Sequence, residues 1–555
     1  MKRRSFIKNT VSVGAGITTP PVLTACKSAG LSNLDSQDFA AKVIEPVNPD
    51  APESLSDSTQ KKVLVIGGGV AGLTASLKLA QRGYKVTIRE AAPFLGGRLH
   101  TREEELSTGT FKVEHGLHQW HHQYYNFHDI FKDLELEDKI FKTFSESFYT
   151  FKNYSSESFK FESDNYYENL ESQVSSSSNM SSLSVNETFK GLHDVFFYHH
   201  RTNFKKFENF NFGEWASSTS INETFLNVAV SPLLNNAFAS ADTISAAEML
   251  LNLHTNYIGH PNAPVFKVTS INHEDAIIDP WKSKLESLGV EIQLNSPVPG
   301  LNFGYAKCKG SKDDSQEYDF VLLATDVTGV QSIFGKSKAI GRKTSAAFKK
   351  LSKKFEGLKT GSPYQIMRVW LDKPLASKLT PSQSIINTPE HKPISKIAVY
   401  DMLEEESKKW AEETGGSIIE IHMSYTKSLL GLSPKNLWDN LQDLIHDAFS
   451  QTDAKDLVKE ARVLDISMGS YSNFTSYESG QFEHRPEPEL ALKEGISNIL
   501  FAGDWVKYNE LPCTLMERSV TTALSAVNTI LFMDGVRQIP IKGASASGTR
   551  HFPQF

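Results

Sequence analysis

Hydrophobic and polar positions form the clearest pattern within residues 61–90. Residues 63–66 are an uninterrupted, largely β-branched apolar run, which is the composition of a buried parallel strand. A glycine-rich turn follows, and residues 73–82 then have the composition of a helix that Gly83 ends. Residues 84–88, YKVTI, have the composition of a second strand. The pattern predicts a strand, a helix and a second strand, and therefore an α/β fold.

Two later regions have patterns of their own. Residues 204–257 carry apolar side chains at helical spacing and predict a group of helices. Residues 364–372, 397–400 and 418–423 alternate between apolar and polar positions and predict strands, with a glutamate-rich helix over 402–413 between the last two. We expect these strands to form an antiparallel sheet.

Three glycines in the first turn, Gly67, Gly69 and Gly72, form the motif G-x-G-x-x-G. Gly67 permits the tight turn, Gly69 lets the backbone approach a pyrophosphate, and Gly72 lets helix and strand pack closely. The start of the helix, which includes Ala71, offers free N–H groups to phosphates. The carboxylate of Glu90 can accept hydrogen bonds from the hydroxyl groups of an adenosine ribose. The arrangement predicts a dinucleotide site and leaves open whether the dinucleotide is NAD or FAD.

A second glycine pair favours FAD. Gly96, Gly97 and Arg98 follow Glu90 after a short turn. They resemble the second dinucleotide motif of the flavin amine oxidase and phytoene desaturase superfamily. The resemblance implies bound FAD, with this element against the FAD phosphates and Arg98 in a charge-assisted contact there.

A histidine-rich segment comes next. Residues 113–122, VEHGLHQWHH, resemble the E-x-G-L-H segment of carotene desaturases, which approaches the flavin and the substrate cavity. His115 and His118 are the candidate catalytic bases, although removal of hydrogen from a polyene could proceed without one. A metal site is not expected, because no carboxylate or cysteine lies at matching ligand spacing. His121 and His122 are interpreted as a polar rim of the cavity.

Two further elements match the same family. A predicted strand leads to Val298, which by resemblance contacts the adenine through its backbone. Near the C-terminus, Gly503 and Asp504 stand in an A-G-D motif whose aspartate bonds the ribityl chain of the flavin in the family. The helix that starts near Thr514 and includes Met516 and Glu517 is expected to face the isoalloxazine with the backbone at its start, where the helix dipole stabilises negative charge.

The resemblance covers residues 60–535 and implies two domains. One is a discontinuous Rossmann-like FAD-binding domain of the glutathione-reductase-like type. The other is an α+β substrate domain that contains an antiparallel sheet and helices. The predicted parts are a signal peptide over 1–26, a flexible tether over 27–60, FAD-binding segments over 61–150, 266–340 and 481–535, substrate-domain segments over 151–265 (with a serine-rich insertion) and 341–480, and a tail over 536–555.

The N-terminus has the features of an export signal. Arg3 and Arg4 begin a sequence that resembles the twin-arginine motif. Residues 23–26, LTAC, resemble a lipoprotein box with cleavage before Cys26 and lipidation of its thiol. We therefore expect export of the folded flavoprotein and anchoring through Cys26 in the bacterial cell envelope, on the periplasmic side or the outer surface.

Composition narrows the classes of function. The chain has 555 residues, with 58 basic and 65 acidic side chains and a net charge of −7, which argues against a nucleic-acid-binding surface. No apolar stretch reaches the length of a transmembrane helix. Three cysteines cannot build a disulfide framework. Cys308 is interpreted as a packing residue, and covalent attachment of flavin to Cys513 stays open.

Two passages point to a branch of the family. Residues 398–411 and 503–523 resemble the carotene desaturases that include isorenieratene synthase and β-carotene desaturase/methyltransferase. This resemblance implies an enzyme that dehydrogenates a lipophilic carotenoid or isoprenoid by hydride transfer to flavin N5, with either O2 or a quinone taking the electrons afterwards.

Two alternatives stay open. A flavin amine oxidase that uses O2 would have the same fold, and Lys359 would be its candidate lysine near N5. A lipoprotein that binds FAD without turnover would also keep the three FAD elements. Reduction of the flavin by a substrate distinguishes either enzyme from the last alternative, and the polarity of that substrate distinguishes the two enzymes.

Overall fold

Five described strands form a parallel sheet in the computed structural model. From one edge to the other they are Glu291–Gln293, Lys85–Arg89, Lys62–Ile66, Phe320–Leu323 and Ile499–Phe501. Every residue of Phe320–Leu323 is buried, because a parallel sheet is covered on both faces. The strands come from three distant parts of the chain, so this parallel sheet is discontinuous in sequence.

The structure describes residues 41–136, 138–163, 166–183, 193–196, 198–236, 239–258, 260, 262–303, 308–309, 317–339, 341–424, 429, 431–511 and 515–544. Within these ranges, no helix is both long enough and apolar enough to cross a membrane. The signal peptide, Cys26 and Cys513 lie outside the described residues.

Seven described strands form a second, larger sheet, here called the large sheet. In spatial order they are Val463–Tyr471, Tyr364–Leu371, Ser417–Ser424, Ile394–Val399, Ile385–Asn387, Glu146–Tyr149 and Glu157–Lys160. All neighbours are antiparallel except Ile385–Asn387 and Glu146–Tyr149, which run parallel. The three alternating segments predicted as strands therefore lie side by side in one sheet, and the mixed α/β class is confirmed.

Smaller sheets are also present among the described residues. Phe266–Thr269 pairs with Trp120–His121 and with Phe141–Phe144. Thr101–Leu106 pairs with Gly109–Glu114. Four short strands, in spatial order, are Glu317–Tyr318, Cys308–Lys309, Asn302–Phe303 and Lys338–Ala339.

Helices cover the parallel sheet, and several short helices lie between residues 166 and 253, ahead of most strands of the large sheet in the sequence. The described α-helices are Val70–Gln81, Tyr125–Asp133, Tyr166–Ser176, His193–Phe196, His200–Phe207, Phe212–Ser218, Glu223–Phe225, Pro232–Asn236, Ala246–Leu253, Asp279–Ser287, Val327–Lys336, Arg342–Glu356, Glu405–Thr414, Pro434–Phe449, Lys455–Glu460, Leu490–Lys493 and Leu515–Met533. The helical stretch predicted over 204–257 is thus several short helices, packed around buried Trp215, Met249 and Leu250.

The flexible tether predicted over 27–60 is wrong for residues 41–60. Strand Lys42–Ile44 pairs with Ile541–Gly543, inside the predicted tail. Leu55 N–H donates to the carbonyl oxygen of Arg82 at 2.9 Å. Proline and serine suggested a disordered segment, but its backbone groups find partners on the folded domain. Residues 27–40 and 545–555 lie outside the described part of the chain.

Two predicted domain boundaries also differ from the structure. The sequence predicts that an FAD-binding segment ends at residue 150, yet Glu146–Tyr149 and Glu157–Lys160 are paired strands of the large sheet. The sequence also predicts that residues 341–480 belong to the substrate domain, yet Leu351 and Phe355 of helix Arg342–Glu356 are buried in the core of the parallel sheet. Both errors arise because a strand or a helix carries no local signal of the sheet with which it pairs or against which it packs.

We predict that Gly72→Ala destabilises the fold severely. A Cβ on Gly72 would lie 1.9 Å from the carbonyl oxygen of Gly67, so helix Val70–Gln81 would have to move away from its strand. Overpacking of this kind costs about 3 kcal/mol or more. A lower midpoint of urea unfolding, or loss of soluble protein, is the expected result.

Gly335→Ala is the matched control. Gly335 also lies in a helix, but no heavy atom lies within 4 Å of the position of its Cβ. Alanine there is expected to be neutral or to stabilise by about 0.5–1 kcal/mol. Equal unfolding midpoints for the two variants would contradict the close packing of Gly72 against Gly67.

Candidate functional site

A cavity of about 640 Å³ extends from the carboxyl edge of the parallel sheet to the wall of the large sheet. Glu90 and Val298 line one part of it. Lys396 and His422, both on strands of the large sheet, line another part. Ligands of open parallel sheets bind at the carboxyl ends of the strands, so the cavity lies where the sequence motifs predict a dinucleotide.

The first glycine loop leaves space that a side chain would fill. Gly67 has φ +109°, and a Cβ there would lie 2.6 Å from the carbonyl oxygen of Ala324. Gly69 precedes helix Val70–Gln81, and the nearest heavy atom to its Cβ position is Gly97 Cα at 3.9 Å. Gly67 therefore needs to be glycine for the turn, whereas Gly69 is open towards the cavity.

The second glycine loop lies directly beside the first. Gly96 N–H donates to the carbonyl oxygen of Gly68 at 2.8 Å. Gly96 and Gly97 have φ of +95° and +58°, a conformation that favours glycine. Bare backbone from two loops and the N-terminus of a helix therefore meet at one place, which suits a pyrophosphate.

Two carboxylates and one guanidinium flank this backbone. Glu90 accepts hydrogen bonds from Gly68 N–H at 2.6 Å and from Ala92 N–H at 2.8 Å, which fix its carboxylate at the cavity. Arg98 Nη2 donates to Asp504 Oδ2 at 2.7 Å. Burial raises the pKa of Asp504, but the charge and hydrogen bond of Arg98, a hydrogen bond from Thr475 and the charge of Arg485 together lower it below its usual value, so Asp504 stays ionised at neutral pH.

The start of the C-terminal helix contributes Met516 and Ser519 to the lining of the cavity. Glu517 turns away and accepts hydrogen bonds from the N–H groups of Asn126 and Phe127 at 2.9 and 3.1 Å, so it caps helix Tyr125–Asp133. Burial raises the pKa of Glu517 to about 8, although these N–H groups lower it. The Glu517 side chain therefore does not line the cavity, and its contacts do not support the predicted role in cofactor binding.

His115 and His118 both line the cavity as uncharged rings. Burial lowers the pKa of His115 to about 2, and burial also lowers the pKa of His118 well below its usual value. His115 packs against the Tyr471 ring at 3.7 Å between centroids, and the Nδ1 of His118 lies 2.7 Å from the carbonyl oxygen of Gly116. Because their pKa values are this low, His115 and His118 would hold a proton taken from the substrate only weakly.

The other predicted side chains lie around the cavity or outside it. His121 lines the cavity, and exposed His122 stacks on His260 at 4.5 Å between ring centroids. Among the described residues, no group of three or more His, Cys, Asp or Glu side chains could hold a metal ion. Lys359, the candidate of the amine oxidase alternative, is exposed, and its Nζ lies 3.7 Å from Glu478 Oε2. That role for Lys359 is wrong, because its side chain does not line the cavity.

A buried polar cluster on the large sheet was missed in the sequence. Glu420 Oε2 accepts hydrogen bonds from Arg368 Nε at 3.1 Å and Nη2 at 2.8 Å. Its Oε1 accepts from His422 Nε2 at 2.9 Å and from Leu117 N–H at 2.8 Å. Burial raises the pKa of Glu420, but Arg368 and His422 lower it far more, so Glu420 is an anion.

The same cluster continues through a second carboxyl group. Tyr400 Oη donates to Glu114 Oε2 at 2.9 Å, and His273 N–H donates to Glu114 Oε1 at 2.8 Å. Burial raises the pKa of Glu114 to about 7. The signal for these residues was present, since Arg368, Lys396 and Glu420 are charged positions inside otherwise apolar strands.

The residues at the parallel sheet fit an FAD dinucleotide. Glycine backbone without side chains faces the cavity at Gly69 and Gly97, a cation stands beside it at Arg98, and a fixed carboxylate stands at Glu90. These donors and acceptors match a pyrophosphate and an adenosine ribose.

Comparison with known proteins agrees with this geometry. The model of the flavin containing amine oxidoreductases matches residues 70–531. The carotenoid phi-ring synthase of Streptomyces griseus is 25% identical, and the alignment covers 87% of this chain and 91% of that protein. The carotenoid phi-ring synthase of Chlorobaculum tepidum is 23% identical, with 89% and 92% covered. The crystal structure of an oxidoreductase from Methanosarcina mazei has a TM-score of 0.54 and 17% identity, covers 84% of this chain and 99% of its own, and shares the fold.

We predict that Gly69→Ala separates cofactor binding from folding. The new Cβ would meet no atom of the protein closer than 3.9 Å, so the unfolding midpoint should stay near that of the wild type. The methyl group would occupy the space beside the two glycine loops where the pyrophosphate is expected. Bound flavin per protein, measured by absorbance after gel filtration, should therefore fall about tenfold. Full flavin occupancy in Gly69→Ala would contradict the placement of the pyrophosphate.

Proposed function

The chain belongs to the flavin containing amine oxidoreductase family and is an FAD-dependent oxidoreductase, and we propose that it dehydrogenates a lipophilic carotenoid or isoprenoid substrate. The observation that carries the proposal is the near full-length similarity to two carotenoid phi-ring synthases. The cavity supports it, because one space runs from the dinucleotide cradle to the large sheet and can hold a second molecule beside the cofactor.

The finer features of the prediction belong to the same proposal. The order of the parallel strands supports a glutathione-reductase-like form of the dinucleotide fold. The sequence motifs at residues 1–26 support twin-arginine export and an anchor on lipidated Cys26 in the cell envelope. A membrane anchor suits an enzyme whose substrate dissolves in lipid.

When bound, FAD supplies the acceptor for two electrons and one hydrogen. Dehydrogenation of a carbon–carbon bond also releases a proton, and a basic side chain at the cavity can receive it. His422 is the best placed acceptor. In the neutral ring the Nε2 carries the hydrogen, because the anionic Glu420 can only accept, and Nδ1 then has a free lone pair.

Glu420 is the positioning residue of this pair. Its carboxylate fixes the tautomer of His422 and stabilises the imidazolium that forms when Nδ1 takes a proton. Arg368 holds Glu420 as an anion through two hydrogen bonds. His115 and His118 have no carboxylate hydrogen-bonded to their rings among the described residues, which makes them weaker candidates.

The proposed function predicts which compounds reduce the flavin. Under anaerobic conditions, β-carotene in detergent micelles should bleach the oxidised flavin band of the purified protein, and primary amines and polyamines should leave it unchanged. Stopped-flow absorbance measures both. Bleaching by amines alone would overturn the carotenoid proposal, and no bleaching by any carotenoid or isoprenoid would do so as well.

Replacement of His422 tests the proton acceptor. His422→Gln keeps the size of the side chain but removes its base, so the rate of flavin bleaching by substrate should fall about 10²–10⁴-fold. Flavin content should remain that of the wild type.

His446→Gln is the control, since His446 lies on the outer helix Pro434–Phe449. It should bleach at the wild-type rate. If His422→Gln also bleaches at that rate with the same substrate, the role of His422 is wrong.

A further inference from the structure

The wall of the cavity on the large sheet is polar at one point. Lys396 and His422 are paired residues of adjacent antiparallel strands, so their side chains lie on the same face. The register shifts between Ile394 and Lys396, which is a β-bulge, and bulges of this kind redirect side chains next to active sites. Lys396, His422 and Gln119 all line the cavity. Lys396 with Gln119 is called the lysine patch below.

Lys396 is a buried cation without a salt bridge. It is 8% exposed, and its Nζ donates to Gln119 Oε1 at 3.1 Å. No carboxylate of the described residues lies within 4.0 Å of Nζ. Glu420 raises the pKa of Lys396, but burial lowers it by more, to about 8. Lys396 therefore remains largely an ammonium at neutral pH.

The lysine patch presents several unused N–H donors to the cavity. An ammonium has three N–H groups, and one of them is used by Gln119. Since Lys396 can only donate, the Gln119 oxygen must face it, which leaves the Gln119 Nε2 group as a further donor. Neither side chain has another hydrogen bond to the described residues. A pure hydrocarbon next to these groups would leave them unsatisfied, at a cost of roughly 1–3 kcal/mol or more for a charged group.

We propose that the lysine patch binds an sp2 oxygen of the substrate, so that the substrate is an oxygenated isoprenoid that carries a ring ketone or a carboxylate. This inference rests on the proposed function and specifies its substrate. An sp2 oxygen has two lone pairs and no hydrogen, which matches one donor from Lys396 and one from Gln119. The oxygen then lies beside His422 Nδ1, the proposed proton acceptor.

Binding of a ketone and of its parent hydrocarbon tests the proposal. Full-length protein in micelles, with its bound flavin reduced beforehand by dithionite under anaerobic conditions, is titrated with canthaxanthin, the diketone of β-carotene, and with β-carotene itself. Since a reduced flavin cannot accept hydrogen, the visible band of the carotenoid gives the dissociation constant without turnover. Canthaxanthin should bind about tenfold or more tightly than β-carotene, with a red-shifted band, because a hydrogen bond to a charged group contributes this much.

Lys396→Met keeps the length of the side chain and removes the charge. It should reduce the preference for canthaxanthin to less than about threefold and abolish the red shift. Gln119→Leu removes the second donor and should weaken canthaxanthin binding as well, which keeps the test valid if one variant folds poorly. Lys409→Met is the control, because Lys409 is exposed on helix Glu405–Thr414 and should leave binding unchanged.

Retinoic acid distinguishes the two sources of an sp2 oxygen. Tight binding of retinoic acid that Lys396→Met abolishes, together with equal binding of canthaxanthin and β-carotene, would assign the patch to a carboxylate. Equal binding of all three compounds to the wild type and to Lys396→Met would overturn the inference. Bleaching of the flavin by β-carotene in that case would leave the proposed function intact, so the two failures are distinguishable.

Discussion

The buried ion pair between Arg368 and Glu420 is the interaction on which the substrate side of the cavity depends. Both side chains are almost completely excluded from water, and removal of one partner of such a pair costs roughly 3–5 kcal/mol because the other charge stays buried. Glu420 also holds the ring of His422 and the N–H of Leu117. One carboxylate thus joins two strands of the large sheet to the loop that carries His115 and His118.

The dinucleotide side of the cavity depends on a different constraint, which is the absence of side chains. Gly67, Gly72 and Gly97 allow backbone segments to approach to distances that a Cβ would forbid. This constraint is local in sequence, because each glycine loop lies within a few residues of the strand or helix that it serves. The charged cluster, by contrast, collects side chains from segments far apart in the chain.

This difference explains what the sequence could predict. Both glycine loops, Arg98 and Asp504 were found from local motifs, and the structure places them on one cavity. Lys396 and His422 were not found, because a charged position in an apolar strand does not show which residue lies beside it, and these two come together only when two strands pair in a particular register. The predicted tether failed for the same reason, since the partner of Lys42–Ile44 lies almost 500 residues later, at Ile541–Gly543.

The dinucleotide side and the substrate side of the cavity contribute differently to specificity. The glycine loops contact groups that every FAD molecule carries, so they do not select the second ligand. The large sheet meets that ligand, and there a charged residue inside an apolar strand is costly unless it is paired or functional. Arg368 and Glu420 are paired with each other, whereas Lys396 is paired only with a neutral amide. An ammonium retained at the cavity wall under these conditions is the physical reason to expect oxygen, rather than hydrocarbon alone, at that end of the substrate.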